Sequence, residues 1–141
     1  MTVNIIGVFD EILKKQYFPL FNDVVRAGFP SPASDYVKER IDLNELLVNH
    51  PNSTYLVEVA GYSLKDIGIF PHDILIVDRS VTAKNKDIVI ALVEDGFMAK
   101  QLTLGDKIIL RSHNSDYPDI VIKDNLELFG VVVSVVRRLN V

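Results

Sequence analysis

The stretch "DIVIALVEDGFMAKQLTL" spans residues 87–104 and contains two runs of aliphatic, β-branched and aromatic residues around Asp95-Gly96. Such residues favour β-strands, and Asp-Gly is a frequent two-residue turn between antiparallel strands. The stretch therefore predicts a β-hairpin.

The same pattern extends to both sides of this hairpin. It returns in "TYLVEV" (54–59), "DILIVD" (73–78), "KIILRS" (107–112), "DIVI" (119–122) and "LFGVVVSVVRRL" (128–139), with Gly105-Asp106 as a further turn signal. Successive short strands joined by tight turns predict a mainly β, antiparallel fold, either a small barrel or packed sheets. The last run is apolar on both faces, so we expect it to be central in its sheet or buried against a partner.

The first 50 residues differ from the rest, because prolines and glycines interrupt them. One short helix is predicted there: Asp42 can cap its first turn, Glu45 follows three residues later, and Pro51 ends the run. The remainder of the first 40 residues has no clean period. We interpret it as an arm laid over a neighbouring surface.

Composition narrows the range of functions. The 141 residues are enough for one domain with a core, and the net charge is -4, from 15 basic and 19 acidic residues. The only adjacent basic pairs are Lys14-Lys15 and Arg137-Arg138, so a stripe that could hold nucleic acid is missing. We therefore expect no direct sequence-specific DNA binding. Any role near DNA would go through another protein.

Several kinds of site and location are disfavoured. The chain has no Cys, so disulfides, thiolate catalysis and Cys-ligated metals are excluded. His50, His72 and His113 show no metal-ligand spacing and no carboxylate placed to orient them, so we interpret them as solvated turn residues and expect neither metal nor cofactor. No signal peptide and no run of about 18 apolar residues is present. These features predict a cytoplasmic protein without a membrane segment.

Ser63 and Lys100 are the candidates for chemistry. Ser63 ends the Gly-Tyr-Ser of "VEVAGYSLKDIGIF" (57–70), and strand alternation puts Lys100 on one face with Met98 and Leu102. An amine held among apolar groups has a lowered pKa and can serve as the general base for a serine. The other interpretation is that Lys100 extends past its apolar neighbours to water and that Ser63 is turn material. The spacing alone does not decide between them.

From about Phe18 onward the chain resembles the LexA/UmuD family of self-cleaving Ser-Lys peptidases, in particular its UmuD-like members that serve SOS mutagenesis. The resemblance is carried by "FPLFNDVVRAGFPSPASDYVKERIDLNELLVNHPNSTYLVEVAGYSL", "DILIVDRSVTAKNKDIVIA", "FMAKQL" and "LFGVVVSVV". Agreement in order over this length is more specific than any single motif.

The resemblance implies a complete reaction. Ser63 would be the nucleophile, Lys100 its base 37 positions later, and Ala27-Gly28 the bond that is cut. Residues 1–27 would be a removable arm, and residues 28–141 the peptidase and dimerisation domain. A RecA filament on single-stranded DNA would stimulate the cut, and the trimmed homodimer would join a UmuC-type subunit in an error-prone translesion polymerase.

Two positions depart from the family pattern. Leu64 stands where Met usually follows the nucleophile, a swap that conserves volume. Tyr62 stands where a small or polar residue is common, and it keeps open an alternative, a non-cleaving dimeric module that binds RecA or a polymerase. A signal-peptidase relative is disfavoured because no membrane anchor is evident. A repressor is disfavoured as well, since 27 residues before the cut are too few for a DNA-binding domain.

Overall fold

The computed structural model describes residues 2–8, 14–21, 37–94 and 96–140. The strands in these residues are β1 (Thr2–Val8), β2 (Tyr17–Phe21), β3 (Val37–Asp42), β4 (Thr54–Ala60), β5 (Ile74–Asp78), β6 (Ile88–Val93), β7 (Gly96–Thr103), β8 (Ile108–Arg111), β9 (Ile120–Ile122) and β10 (Glu127–Val136). One α-helix, α1 (Leu43–Leu47), and two 3-10 turns, Pro51–Ser53 and Lys65–Ile67, complete the list. No helix in this part of the chain is long and apolar enough to cross a membrane.

The chain divides into two compact units, Met1–Phe9 with His50–Val141, and Asp10–Asn49. The larger unit is an antiparallel sheet with the order β1-β4-β5-β10-β6-β7-β8-β9. Thr2 of β1 also pairs with Met98 of β7, so six strands close on themselves and β8 and β9 continue beyond β7. The predicted mainly β, antiparallel fold is confirmed, in its small-barrel form.

The predicted hairpins are present. β6 and β7 pair antiparallel from Ile88 opposite Gln101 to Val93 opposite Gly96, and β8 pairs with β7 beyond Gly105-Asp106. β10 lies between β5 and β6, so the prediction of a central last strand is confirmed as well. Both hairpins form because turn residues separate strands whose apolar faces can be buried together.

The N-terminal segment was predicted to be irregular. This was wrong, because the segment contains three strands, β1, β2 and β3. β1 pairs with β4, and in the smaller unit β2 pairs with β3, with Phe18 opposite Ile41. Pro19 lies inside β2 opposite Arg40. Proline is tolerated there because a two-stranded ribbon has only edge strands, in which one side makes no ladder hydrogen bonds.

The short helix is present, but its predicted cap is not. α1 follows Asp42 directly and ends before Pro51, whereas the Asp42 side chain makes no capping hydrogen bond. Glu45 forms an ion pair with Lys15 instead of completing a capping box.

The core of the larger unit consists of two apolar clusters on opposite faces of β6 and β7. The first cluster contains Val57, Val59, Leu64, Ile69, Leu75, Val77, Ile90 and Ala99. The second contains Val89, Ala91, Leu102, Leu110 and Val131. Because successive side chains of a strand point to opposite faces, β7 supplies Ala99 to the first cluster and Leu102 to the second. Lys100 lies between these two residues along β7 and is itself buried.

Candidate active site

Ser63 lies in a tight loop that follows β4. The strand ends at Ala60, and Gly61 adopts a φ of 129°, a conformation that side-chain-bearing residues rarely accept. Leu64 is fully buried in the first core cluster and holds the loop against the barrel. Ser63 is therefore fully buried as well, although it lies in a turn.

The Ser63 hydroxyl is the unusual atom of this loop. The backbone carbonyl oxygen of Ser63 accepts a hydrogen bond of 2.7 Å from the His113 backbone N–H. Its Oγ atom, in contrast, is buried and has no hydrogen-bond partner among the residues that the structure describes. An unsatisfied buried hydroxyl costs about 1–3 kcal/mol, so such a group in a native fold calls for a functional explanation.

Lys100 is buried within β7, with only 3% of its surface exposed. Its Nζ atom donates a hydrogen bond of 2.7 Å to Ser112 Oγ, and the Tyr117 ring centroid lies 5.7 Å from Nζ. Burial lowers the pKa of Lys100, and the attraction of the nearby Asp119 carboxylate opposes this only in part. The interpretation in which the lysine extends to water is therefore wrong, and the predicted direction of its pKa shift is confirmed.

One loop, residues 112–114, connects Ser63 and Lys100. Ser112 accepts the hydrogen bond from Lys100, and the next residue, His113, donates its N–H to Ser63. Asn114 then donates from Nδ2 to the Tyr62 carbonyl oxygen at 2.8 Å. The same loop therefore makes hydrogen bonds with both candidate residues. Ser63 Oγ and Lys100 Nζ make no direct hydrogen bond with each other.

The two departures from the family pattern have different positions. Leu64 is a core residue, where a hydrophobic side chain of similar volume fills the same space as Met. Tyr62 is 55% exposed at the surface of the loop, and its carbonyl oxygen is held by Asn114 and by the Lys65 N–H. The Tyr62 hydroxyl makes no hydrogen bond with Ser63 Oγ.

The histidines lie apart from this site with one exception. His113 is adjacent to it, and its Nε2 atom lies 2.6 Å from Gln101 Oε1. His50 was expected to have no orienting carboxylate, and this was wrong: its Nδ1 atom lies 2.5 Å from Asp78 Oδ2. His72 is exposed, and no cluster of metal-ligating side chains occurs in the described residues.

The expected cleavage site, Ala27 and Gly28, lies outside the described residues, as does Asp95 of the first hairpin turn. Ser112, on the other hand, was not singled out from sequence. The hairpin register was the signal that could have found it, because continuing the β7–β8 pairing past Gln101 and Arg111 brings Ser112 opposite Lys100.

Comparison with known proteins places the sequence in a family. A sequence profile described as Peptidase S24-like matches residues 19–133. The chain belongs to this family. Its relatives include protein SamA of Salmonella typhimurium, 38% identical over 120 residues that cover 85% of both chains. Protein MucA of Escherichia coli is 39% identical over 117 residues, which cover 81% of this chain and 80% of MucA.

A LexA repressor from Shewanella woodyi is a more distant relative. It is 34% identical over 132 residues, which cover 91% of this chain and 63% of the repressor. Together these similarities make the chain a UmuD-like protein of SOS mutagenesis, within a family of self-cleaving serine peptidases.

Proposed function

We propose that the chain cuts itself between Ala27 and Gly28, with Ser63 as the nucleophile and Lys100 as the general base. One observation carries the proposal: a buried lysine with a lowered pKa is tied through residues 112–114 to a buried serine whose hydroxyl has no partner among the described residues. A lysine of lowered pKa is the base that a serine requires in the absence of a histidine.

The reaction runs in two halves. Ser63 Oγ attacks the Ala27 carbonyl carbon while its proton moves to neutral Lys100 Nζ, and backbone N–H groups at or next to Ser63 stabilise the oxyanion. The Ala27–Gly28 bond then breaks, and Lys100 returns the proton to the Gly28 amine. Water hydrolyses the resulting Ser63 ester, again with Lys100 as the base, and the free hydroxyl is restored.

The cut is controlled by damage to DNA. A RecA filament on single-stranded DNA can speed it only by binding more tightly to the conformer in which the cleavage segment occupies the site. The trimmed body, residues 28–141, then acts as a homodimer that joins a UmuC-type subunit of a translesion polymerase. These partners imply a cytoplasmic protein that needs no DNA contact of its own, in agreement with its net charge of -4.

An exposed apolar surface on β10 supports the homodimer. Val133 and Val135 are both exposed on this central strand, with 38% and 41% of their surfaces accessible. Exposed β-branched residues in the middle of a sheet are the kind of surface that a second copy can cover.

A second candidate function is a dimeric interaction module that does not cut itself. Two observations favour it: Ser63 Oγ and Lys100 Nζ make no direct hydrogen bond, and the Tyr62 ring stands at the surface of the nucleophile loop. In that case the module would bind RecA or a polymerase in its full-length form.

The deciding experiment measures intact mass and the new N-terminus after incubation with RecA, single-stranded DNA and a nucleotide that keeps the filament active. Wild type, Ser63→Ala and Lys100→Ala are compared with Ser115→Ala and Lys107→Ala, which alter exposed residues of the same types. We expect a product that begins at Gly28 from wild type and both controls, and none from the other two variants. An intact wild-type chain that still binds RecA would favour the interaction module.

A further inference from the structure

Ser112 occupies the position across from Lys100 in the β7–β8 hairpin. Gln101 pairs with Arg111 and Leu102 with Leu110, so one further step of the same register brings Ser112 opposite Lys100. On the other side of β7, Lys100 is paired with Val89, which is fully buried and apolar. Of the two cross-strand neighbours of Lys100, only Ser112 has a side chain that can accept a hydrogen bond.

The hydrogen bond between Lys100 and Ser112 has a defined direction. Lys100 Nζ donates to Ser112 Oγ at 2.7 Å, while the Ser112 hydroxyl donates to the Pro118 carbonyl oxygen at a longer 3.4 Å. The Ser112 backbone N–H donates to Asp119 Oδ1 at 2.9 Å and fixes the position of the residue. Ser112 Oγ therefore presents a lone pair to the lysine, and it can do so whether the lysine is charged or neutral.

This direction matters because a neutral amine has two N–H groups and one lone pair. When one N–H is held by Ser112, rotation about the last side-chain bond is restricted, and the lone pair is left free to accept a proton. The loop that carries Ser112 also holds the peptide of Ser63 through the His113 N–H. A single loop thus sets the orientation of the base and the position of the nucleophile.

We propose that Ser112 is a positioning residue for self-cleavage, whose hydroxyl holds Lys100 Nζ so that its lone pair can receive the Ser63 proton. Ser112 itself neither gains nor loses a proton in the reaction. It supports the amine before the transfer and the ammonium after it. The role in cleavage rests on the proposed function, whereas the hydrogen bond and its effect on Lys100 do not.

The groups around Lys100 determine in which direction its pKa should move when Ser112 is replaced. The Asp119 carboxylate favours the ammonium form, the Tyr117 ring faces Nζ, and the Ser112 hydroxyl accepts a bond that is stronger when the lysine is charged. Ser112→Ala removes this acceptor. It should therefore move the protonation midpoint of Lys100 to lower pH, and at the same time release the amine from its orientation.

The first test follows alkaline self-cleavage of the full chain, without RecA, as a first-order rate across a series of pH values. Ser112→Ala should lower the rate on the alkaline plateau by about ten- to a hundredfold, the upper figure being the cost of misplacing a catalytic group by about 1 Å, and shift the midpoint of the profile to lower pH. Ser112→Thr, which keeps the hydroxyl, should restore both. Ser115→Ala, which changes an exposed serine directly after this loop, should behave as wild type.

The second test needs no cleavage. In a Ser63→Ala chain with ¹³C-labelled lysines, the Lys100 signal is identified by its loss in Lys100→Arg and is then titrated by NMR with and without Ser112→Ala. The midpoint should fall in the Ser112→Ala chain and stay at its wild-type value in Ser112→Thr. Circular dichroism checks folding, and Ser112→Val, which lacks the hydroxyl but matches Thr in shape, replaces the alanine variant if that one unfolds.

Each result has a separate meaning. A Ser112→Ala chain with the wild-type plateau and midpoint, or one that cuts faster, overturns the positioning role while the proposed function stands. A wild-type chain that never cuts removes the proposed function and with it the role in cleavage. An unmoved NMR midpoint overturns the effect of Ser112 on Lys100 in either case.

Discussion

Asp78, at the end of β5, is a buried carboxylate that stays ionised. Burial by itself raises its pKa, but hydrogen bonds from Ser80 and from His50 outweigh that effect and lower the pKa to about 2. The Ser80 hydroxyl donates at 2.6 Å and the Ser80 N–H at 2.8 Å, while His50 Nδ1 lies 2.5 Å away. Because His50 directly precedes Pro51–Ser53, the carboxylate also fixes the entry of the chain into β4.

We predict an acid-dependent loss of stability from Asp78. Its folded pKa of about 2 lies below the ordinary value of about 3.9. Its contribution of about 2 kcal/mol is thus complete above the unfolded pKa and is lost as the pH falls through the folded one. In a Ser63→Ala background, Asp78→Asn should lower the free energy of unfolding by about this amount at pH 7, and the difference should shrink toward pH 2. Urea unfolding followed by circular dichroism measures it.

The control for this prediction is Asp124→Asn, which changes an exposed carboxylate. It should alter the free energy of unfolding by less than about 0.5 kcal/mol at any pH. An Asp78→Asn chain as stable as the control at neutral pH would show that the carboxylate is not stabilised by its four donors, which belong to His50, Ser53 and Ser80.

β10 is the element on which the barrel depends, since it pairs with β5 on one side and β6 on the other. Its register with β6 shifts between Leu128 and Gly130, which is the mark of a β-bulge. At Gly130 the neighbouring strand comes so close that an added Cβ would lie 2.7 Å from Val77 Cγ1 and 3.1 Å from the Asp78 carbonyl oxygen. The glycine is required here for close approach.

Gly130→Ala should therefore destabilise the fold by about 1–3 kcal/mol, the usual cost of overpacking a core. Gly105→Ala is the matched control, because an added Cβ there meets nothing within 4 Å. Thermal unfolding of both variants by circular dichroism gives the comparison. Equal midpoints would mean that β5 and β10 can separate at this point without loss of stability.

The strands and turns that could be predicted from the sequence are those specified by residues close together in the chain. The strands after Pro51 were found because alternation and turn residues define them within a few positions. β1 was missed because its partner β4 lies about 50 residues later in the chain, and no local signal reports such a pairing. The same limit applies to the site. Ser63 and Lys100 could be named, whereas Ser112 depends on hairpin register and His50 on a carboxylate 28 residues away.

At the scale of the whole molecule, β1 connects the fold to the proposed reaction. It closes the barrel by pairing with β4 along Thr2–Val8 and with β7 at Met98. It also belongs to residues 1–27, the segment that a cut at Ala27-Gly28 separates from the body. Cleavage would thus remove a strand of the sheet and leave one side of β4 as a free edge, a surface onto which another strand can add.

A chain that begins at Gly28 should show this edge by hydrogen exchange. About every second amide of β4 points toward β1, and these should exchange at least about tenfold faster than in the full-length Ser63→Ala chain, because they lose their acceptors. The β4 amides that point toward β5 should stay protected, as should the amides of β8 and β9 that bond between these two strands, where Ile109 pairs with Val121. Measurement at two protein concentrations separates a free edge from one covered by a second copy, since only the latter regains protection as the concentration rises. Equal protection of β4 in both chains at the lower concentration would mean that β1 leaves no vacant edge, and that trimming acts on the molecule by some route other than opening the sheet.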